Sequence, residues 1–267
     1  MDCINNSNKD DERLPMLDLH DKFKFFCGKE IECSIQCCSN LNLMLTPYDI
    51  FRMKKRLKLS SEDFLMQYTT SPLKEGTAIP VVMLRMTDDE KRTCPFASSE
   101  GCKIYEDRPG SCRVYPLGQA TTNDEDKASH KEIYFIVREP YCIGFNTDKE
   151  WTVREWKKNQ GLDIYNEMNH PWMEIILDKI LQKQKMLDDN IAKMIFMGSY
   201  NLDAFKRFVF ESRFLETFDI ENEVIESIKK DELELMRFGF MWLKAVISGE
   251  KVLKVKDEAI PSDNKGL

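Results

Sequence analysis

The amino-acid sequence predicts an α+β protein that is mostly helical, in which a loop-rich cysteine domain with short strands precedes an all-helical module. Eight of the nine cysteines fall between residues 27 and 142, in a stretch broken by prolines and glycines, and residues 143–267 contain none. Beyond Phe145, apolar residues recur at the three- and four-residue spacing of amphipathic helices. We expect a flexible tail at 1–20, the cysteine domain at 21–146, the helical module at 147–250 and a second flexible tail at 251–267.

Two short helices are predicted between the two groups of cysteines. The Thr46 hydroxyl can cap a helix that has Pro47 at its first position. Ser60, followed three residues later by Asp63, predicts a second helix that runs through Tyr68. The first of these helices is expected to brace the first cysteine group.

The second cysteine group is expected on strands at residues 78–86 and 132–137. Thr152 and Glu155 then form a capping box that opens the helical half of the chain. Helix breaks are predicted at Gly161, at His170-Pro171 and at Gly198-Ser199. The predicted helices cover residues 156–160, 172–186, 190–197, 204–210 and 231–246. The last of them is so rich in large apolar side chains that we expect it in a packed core.

Length and charge exclude several classes of function. The 267 residues, of which 42% are hydrophobic and 32% charged, suffice for one large domain or two small ones with real cores. The net charge is −7, with acidic residues in excess on both sides of Phe145, so nucleic acid is not an expected partner. The basic run at 52–58 lies in a predicted helix, where we interpret it as a solvated face.

Neither a membrane nor a common nucleotide-binding loop is expected. Residues 1–15 are polar and acidic, and no stretch of about 18 residues is free of charges, so we expect a cytoplasmic protein. The closest pair of glycines, Gly110 and Gly118, is eight positions apart. Walker loops and dinucleotide fingerprints need closer glycines, so both are excluded.

The cysteines are more consistent with metal ligands than with disulfides or core residues. Their number is odd, Cys37 and Cys38 are adjacent, and no export signal precedes them, which together disfavour a disulfide framework. Cys3 stands alone in a polar tail and is interpreted as an incidental thiol. Thiolates from irregular segments are typical ligands of soft or borderline metals, and eight could form two tetrahedral sites or one site with reserve ligands. The predicted ligand pool is Cys27, Cys33, Cys37, Cys38, Cys94, Cys102, Cys112 and Cys142.

Several motifs resemble those of a known family. The most specific is Cys102-x-x-Tyr105-x-x-Arg108-Pro109-x-x-Cys112-Arg113, which continues to Val114-Tyr115-Pro116. The other matching pieces are Phe25-Phe26-Cys27 with Cys33 and Cys37-Cys38, then Leu45-Thr46-Pro47-Tyr48-Asp49-Ile50, Cys94-Pro95-Phe96, and Glu139-Pro140-Tyr141-Cys142 with Gly144. In these residues, about 23 to 146, the chain resembles the YkgJ-type cysteine-cluster family, zinc- or iron-chelating proteins with a CxxCxxCC-like signature.

This resemblance implies a metal site built by the eight cysteines. The chain departs from the compact form of the family, because five residues separate Cys27 from Cys33 and three separate Cys33 from Cys37. Flagellin lysine N-methylases resemble carriers of the same cysteine cluster, which implies protein lysine N-methylase-like activity as one alternative. Arg108 and Arg113 could bond to sulfurs, but we favour a structural role for both.

No catalytic residue can be assigned from the sequence. The three histidines, His20, His130 and His170, are far apart, and Asn40 stands where a radical S-adenosylmethionine motif would place its third cysteine. Three functions stay open: an iron–sulfur protein with a redox or modification-supporting role, a metal chelator or assembly factor without turnover, and a zinc-stapled scaffold. In the scaffold, the helical module would bind a protein partner.

The choice of metal leans slightly toward iron. Zinc and iron–sulfur clusters both accept shells made only of cysteine. No histidine lies near a cysteine, and Cys94-Pro95 is similar to the Cys-Pro ending of bacterial ferredoxin ligand runs. We therefore expect an iron–sulfur cluster of the 4Fe–4S type, with zinc as the alternative.

Overall fold

The structure, a computed structural model, describes residues 15–70, 80–124, 129–178, 188–248 and 253–256. Within these residues the protein is α+β and mostly helical, as predicted. Two short 3-10 turns, Gln36–Cys38 and Tyr105–Asp107, lie in the cysteine region. The described helices are α1 Pro47–Leu57, α2 Ser61–Tyr68, α3 Gly110–Val114, α4 Val153–Gln160, α5 Leu162–Ile176, α6 Asp189–Ser199, α7 Leu202–Glu211, α8 Phe214–Thr217, α9 Asn222–Lys230 and α10 Glu232–Ser248.

The described strands are short and pair antiparallel in small sheets. The strands are β1 Lys22–Lys24, β2 Met44–Leu45, β3 Thr69–Thr70, β4 Val82–Leu84, β5 Ala97–Ser98, β6 Gly101–Cys102, β7 Leu117–Asp124, β8 Ser129–Ile136, β9 Glu150–Thr152, β10 Phe218–Asp219 and β11 Lys254–Val255. Four of the described sheets are two-stranded, with the orders β1-β9, β5-β6, β7-β8 and β10-β11, and one is three-stranded, with the order β2-β4-β3.

The predicted strands correspond to β4 and β8. β4 is shorter than its prediction, and residues 78 and 79 lie outside the described chain. β8 begins three residues before its predicted start and pairs with β7 along its whole length, from Leu117↔Ile136 to Asp124↔Ser129. This hairpin directly follows the Cys112 segment.

The chain forms two compact units, each assembled from two separate stretches of sequence. The first unit comprises the described parts of residues 1–37 and 110–163, and the second comprises those of 38–109 and 164–267. The predicted division into independent domains at residue 146, with tails at both ends, stays a prediction.

The first unit is organised around an aromatic cluster. Its core residues are Phe23, Phe25, Val114, Leu117, Tyr134, Val153, Trp156 and Leu162. β1 pairs with β9 in the register Phe23↔Trp151, which joins the N-terminal segment to α4. The Trp156 indole nitrogen donates to the carbonyl oxygen of Val114 at 3.1 Å, so α4 also holds the end of α3.

The second unit is mainly helical, and α10 packs against α6, α7 and α9. The predicted burial of the apolar residues of this last helix is confirmed for Leu235, Met236, Phe238, Phe240, Trp242 and Leu243. Aromatic rings from α7 meet it, with the Phe205 and Trp242 centroids 5.3 Å apart. Helical spacing thus places the aromatic stripe in the core, as expected.

Helix starts follow the predicted capping residues. The hydroxyl groups of Thr46 and Thr152 each accept a hydrogen bond from the backbone amide three residues later. In return, the carboxylates of Asp49 and Glu155 accept hydrogen bonds from the backbone amides of these threonines, so both capping boxes are complete. Ser60 caps α2. The predicted end of α4 at Gly161 is also confirmed, because this residue adopts φ 63°, where glycine is favoured.

The predicted helix break at His170-Pro171 is wrong, because α5 continues through Pro171. Proline inside a helix removes one hydrogen bond and crowds a carbonyl, at a cost of about 3 kcal/mol. Met168, Trp172 and Ile175 are all buried, and each contributes about 1.5–3 kcal/mol by burial. Packing therefore outweighs the local penalty. The remainder of the predicted helix at 172–186 lies partly outside the described residues.

A buried ion pair joins two stretches of the second unit. The Lys54 side chain, on α1, is 5% exposed and its ammonium contacts the carboxylate of Glu232 at the start of α10. A carboxylate oxygen of Asp203 lies 3.9 Å from the same ammonium nitrogen and also accepts a hydrogen bond from the Ser61 amide at 2.5 Å. Through these contacts α1 and α2 are tied to the helical part of the unit.

None of the helices in the described ranges is both long enough and apolar enough to span a bilayer.

Candidate metal centre

All eight predicted ligand cysteines lie in the described chain as thiols. Five belong to the first unit and three to the second. Cys33 is buried and Cys27 is exposed, whereas the other six are partly buried. Cys3 lies outside the described residues.

The second unit holds Cys38, Cys94 and Cys102 on one backbone framework. The Cys94 amide donates to the Cys38 carbonyl oxygen at 2.7 Å, and next to it Ser39 forms a β-bridge with Thr93. The Cys94 carbonyl oxygen accepts from Ala97 at 3.0 Å, and Ala97 pairs with Cys102 in the β5-β6 hairpin. Three cysteines from distant positions in the sequence are thus linked through backbone hydrogen bonds.

Phe96 anchors this hairpin in the second unit. Its ring is 3% exposed and lies 5.0 Å, centroid to centroid, from the ring of Tyr68 at the end of α2. Its carbonyl oxygen accepts from the Lys103 amide at 2.9 Å, and Ile104 beyond the hairpin is also buried. The apolar residues between the cysteines therefore fix the hairpin, while the thiols stay partly accessible.

In the first unit, Cys37 and Cys142 lie close to Tyr115. Cys142 packs against the aromatic cluster and its amide donates to the Glu139 carbonyl oxygen at 2.9 Å. Two residues further on, the Gly144 carbonyl oxygen accepts from Phe26 at 2.8 Å. The second of these hydrogen bonds joins the segment around Cys142 to the segment that leads into Cys27.

The Tyr115 hydroxyl lies in this part of the site. Its oxygen is buried and, within the described residues, has no partner at normal hydrogen-bond geometry. Burial is the main cause that raises the pKa of Tyr115. The adjacent Cys142 side chain raises this pKa further, and the charges of Tyr141 and Cys37 make smaller contributions in the same direction. The phenol therefore keeps its proton as a hydrogen-bond donor.

The remaining three cysteines, Cys27, Cys33 and Cys112, also belong to the first unit. The Cys33 carbonyl oxygen accepts a hydrogen bond from the Gln36 amide at 3.1 Å, and this bond shapes the loop before Cys37. Cys112 lies on the one-turn helix α3. Cys27 directly follows the Phe25-Phe26 segment.

The two arginines of the specific motif make structural contacts. Arg113 is buried and donates to the Gln160 carbonyl oxygen at 2.7 Å, which holds the end of α4 against α3. Arg108 donates to the Tyr105 carbonyl oxygen at 2.6 Å, and its guanidinium carbon lies 3.8 Å from the Tyr105 ring centroid. These contacts agree with the structural role favoured for both residues.

The described residues contain no group of three or more Cys, His, Asp or Glu side chains arranged to hold a metal ion. The donor types nevertheless fit a thiophilic metal, since partly buried thiols lie beside a buried hydroxyl that lacks a partner.

Residues 27–143 match the model of a family called CxxCxxCC and described as "Putative zinc- or iron-chelating domain". The match covers less than half of the chain. The matched segment, hereafter the CxxCxxCC domain, contains all eight predicted ligands, from Cys27 to Cys142, and it also contains Tyr115. No curated protein and no solved structure matches the chain significantly.

Tyr115 lies within the most specific motif, but the sequence predicts no role for it. The available signal is a phenol three positions after Cys112, in a segment otherwise rich in apolar residues. The sequence also predicts that Lys54, with its basic neighbours, lies on a solvated face. That interpretation is wrong for Lys54, because its side chain is buried against Glu232.

Proposed function

We propose that the CxxCxxCC domain holds a 4Fe–4S cluster through thiolates and serves a redox or modification-supporting role. The observation that carries this proposal is the donor set, which consists of eight thiols with no histidine among them. Soft thiolates suit iron–sulfur clusters, and the family description admits iron. The proposed ligands come from the pool Cys33, Cys37, Cys38, Cys94, Cys102, Cys112 and Cys142, with Cys27 as a further candidate.

When bound, such a cluster supplies one-electron transfer. The residues of this chain would hold it and limit its exposure to water. Phe96 and the aromatic cluster of the first unit provide apolar surroundings for the hairpin cysteines and for Cys142 respectively. An apolar shell of this kind controls how much water reaches a metal site, and in this way it tunes the redox potential of the metal.

The full chain, produced and purified without oxygen, tests this proposal. It should be brown, contain acid-labile sulfide in proportion to iron, and bleach on reduction. A Cys3→Ser variant treated in the same way should have the same iron and sulfide content. Colourless anaerobic protein with stoichiometric zinc and no sulfide would refute the cluster and favour a zinc-stapled scaffold.

A second candidate function is metal chelation or delivery without turnover. The family description, which names chelation, favours it. The partial exposure of most of the thiols supports it too, because accessible ligands can also pass a metal on. Incubation of the loaded chain with a metal-free acceptor protein should then transfer the metal faster than dialysis removes it. Retention of all metal under those conditions would contradict delivery.

A further inference from the structure

The Tyr115 hydroxyl is a buried donor held beside two cysteines of the proposed site. Its oxygen has no partner at hydrogen-bond geometry within the described residues. Cys142 and Cys37 are the thiols near enough to influence it. A buried polar group without a partner destabilises the state that contains it, so a state that supplies an acceptor is favoured.

The rest of the side chain cannot easily leave this position. The Tyr115 ring packs edge-on against Phe25, with 5.7 Å between centroids, and Phe25 is 1% exposed. Phe25 is in turn enclosed by Phe145 and Trp156, at 5.2 and 5.5 Å. The aromatic cluster therefore fixes the ring, and the hydroxyl is kept next to the Cys142 sulfur.

A metal-bound thiolate is the acceptor that this donor lacks. A thiol is a weak acceptor, whereas a thiolate carries a full charge, and hydrogen bonds to charged groups are roughly twice as strong as neutral ones. A phenol has an ordinary pKa near 10 and is protonated at neutral pH. Metal binding deprotonates cysteine and thus creates an acceptor for the Tyr115 proton.

We propose that Tyr115 is a positioning residue, whose hydroxyl donates a hydrogen bond to the Cys142 thiolate when that sulfur binds the metal. This inference rests on the proposed metal-binding function and deepens it. The bond orients the Cys142 sulfur and withdraws electron density from it. Outer partners of this kind typically change metal affinity by about 10–100-fold when they are removed.

The test compares Tyr115→Phe with a matched control in the same aromatic cluster. Tyr134→Phe also removes one phenolic hydroxyl from that cluster, but the Tyr134 hydroxyl donates to Glu132. Each full-length protein is loaded anaerobically with the metal found in the wild type. Metal loss to a competing chelator and the sulfur-to-metal charge-transfer absorption are then measured, with Co²⁺ substituted if that metal is zinc.

Tyr115→Phe should bind the metal about tenfold more weakly, and its charge-transfer band should move to longer wavelength. Tyr134→Phe should change neither quantity. An unshifted band with wild-type affinity in Tyr115→Phe would overturn the positioning role alone, as would equal shifts in both variants. Wild-type protein that binds no metal at all would overturn the proposed function together with this inference.

Discussion

The backbone amide of Cys94 donates a 2.7 Å hydrogen bond to the carbonyl oxygen of Cys38, and so joins two cysteines of the second unit that are far apart in the sequence. The bond fixes backbone rather than sulfur, so a change of either side chain should leave the framework intact. This makes the thiols of the second unit good targets for mutation, because loss of metal can be separated from loss of fold.

Cys38→Ser and Cys94→Ser should each lower the metal content of the purified protein by at least half, because serine is a poor ligand for a thiophilic metal. The same is expected for Cys37, Cys102 and Cys112. Metal per chain, measured by elemental analysis after anaerobic purification, checks this. The control is Cys3→Ser, and equal metal retention in all variants would contradict the ligand assignment.

Lys54→Met should lower the free energy of unfolding by about 2 kcal/mol, because it leaves the carboxylate of Glu232 partly buried without its cation. The matched control is Lys230→Met, which removes a solvent-exposed pair with Glu226 and should cost much less, because water and salt screen an exposed pair. Urea denaturation of both variants in the same metal state gives the comparison. Similar losses would show that burial of Lys54 has no energetic consequence.

Asp203 should make the stability of the protein depend on acid pH. Burial alone would raise its pKa, but hydrogen bonds from Ser61 and the charges of Lys54 and Arg207 lower it below the ordinary 3.8. A carboxylate with a lowered pKa in the folded state stabilises the protein above its ordinary pKa, and this contribution disappears as pH falls through the folded value.

Asp203→Asn should therefore reduce the melting temperature at pH 7, and its difference from wild type should shrink as the pH falls below the ordinary pKa of 3.8. Asp148→Asn is the control, since the Asp148 side chain is fully exposed beside Lys24. Melting curves across this pH range test the point. A difference for Asp203→Asn that stays constant with pH would refute the assignment.

Gly144→Ala should destabilise the protein by about 1–3 kcal/mol through overpacking. An added Cβ would lie 2.7 Å from the Phe26 carbonyl oxygen and 2.7 Å from the Phe25 ring, and neither can move freely. At Gly28 the atoms nearest to an added Cβ all belong to the flexible side chain of Glu30, so Gly28→Ala should be tolerated. Thermal melting distinguishes the two, and equal effects would contradict the proposed clash.

The local chemistry of the chain predicts much of the fold. Thr46, Ser60 and Thr152 mark helix starts because capping depends on residues within three positions of each other. Pro171 shows the limit of such reasoning, since burial of its neighbours keeps α5 intact despite the local penalty. Helices α3, α8 and α9 were not predicted, because they are short or follow no strong capping signal.

The candidate site was predictable in composition but not in arrangement. Cysteine identity and clustering indicate the donor type directly from the sequence. The pairing of Cys38 with Cys94 depends on a long-range backbone bond, and the neighbourhood of Tyr115 depends on how Phe25 packs. Neither leaves a periodic pattern in the sequence, so neither could be inferred from it.

The interleaving of the two units has a consequence for how the protein is made. A ribosome releases residues 27–38 first, but the first unit also needs residues 110–163 and the second needs residues beyond 164. Neither core can close until long after the early cysteines have emerged. During that interval the first thiols are open to solvent, where metal ions, oxidants and chaperones compete for them. Translation speed and the supply of metal should therefore influence the yield of folded protein more strongly than for a chain whose units are contiguous.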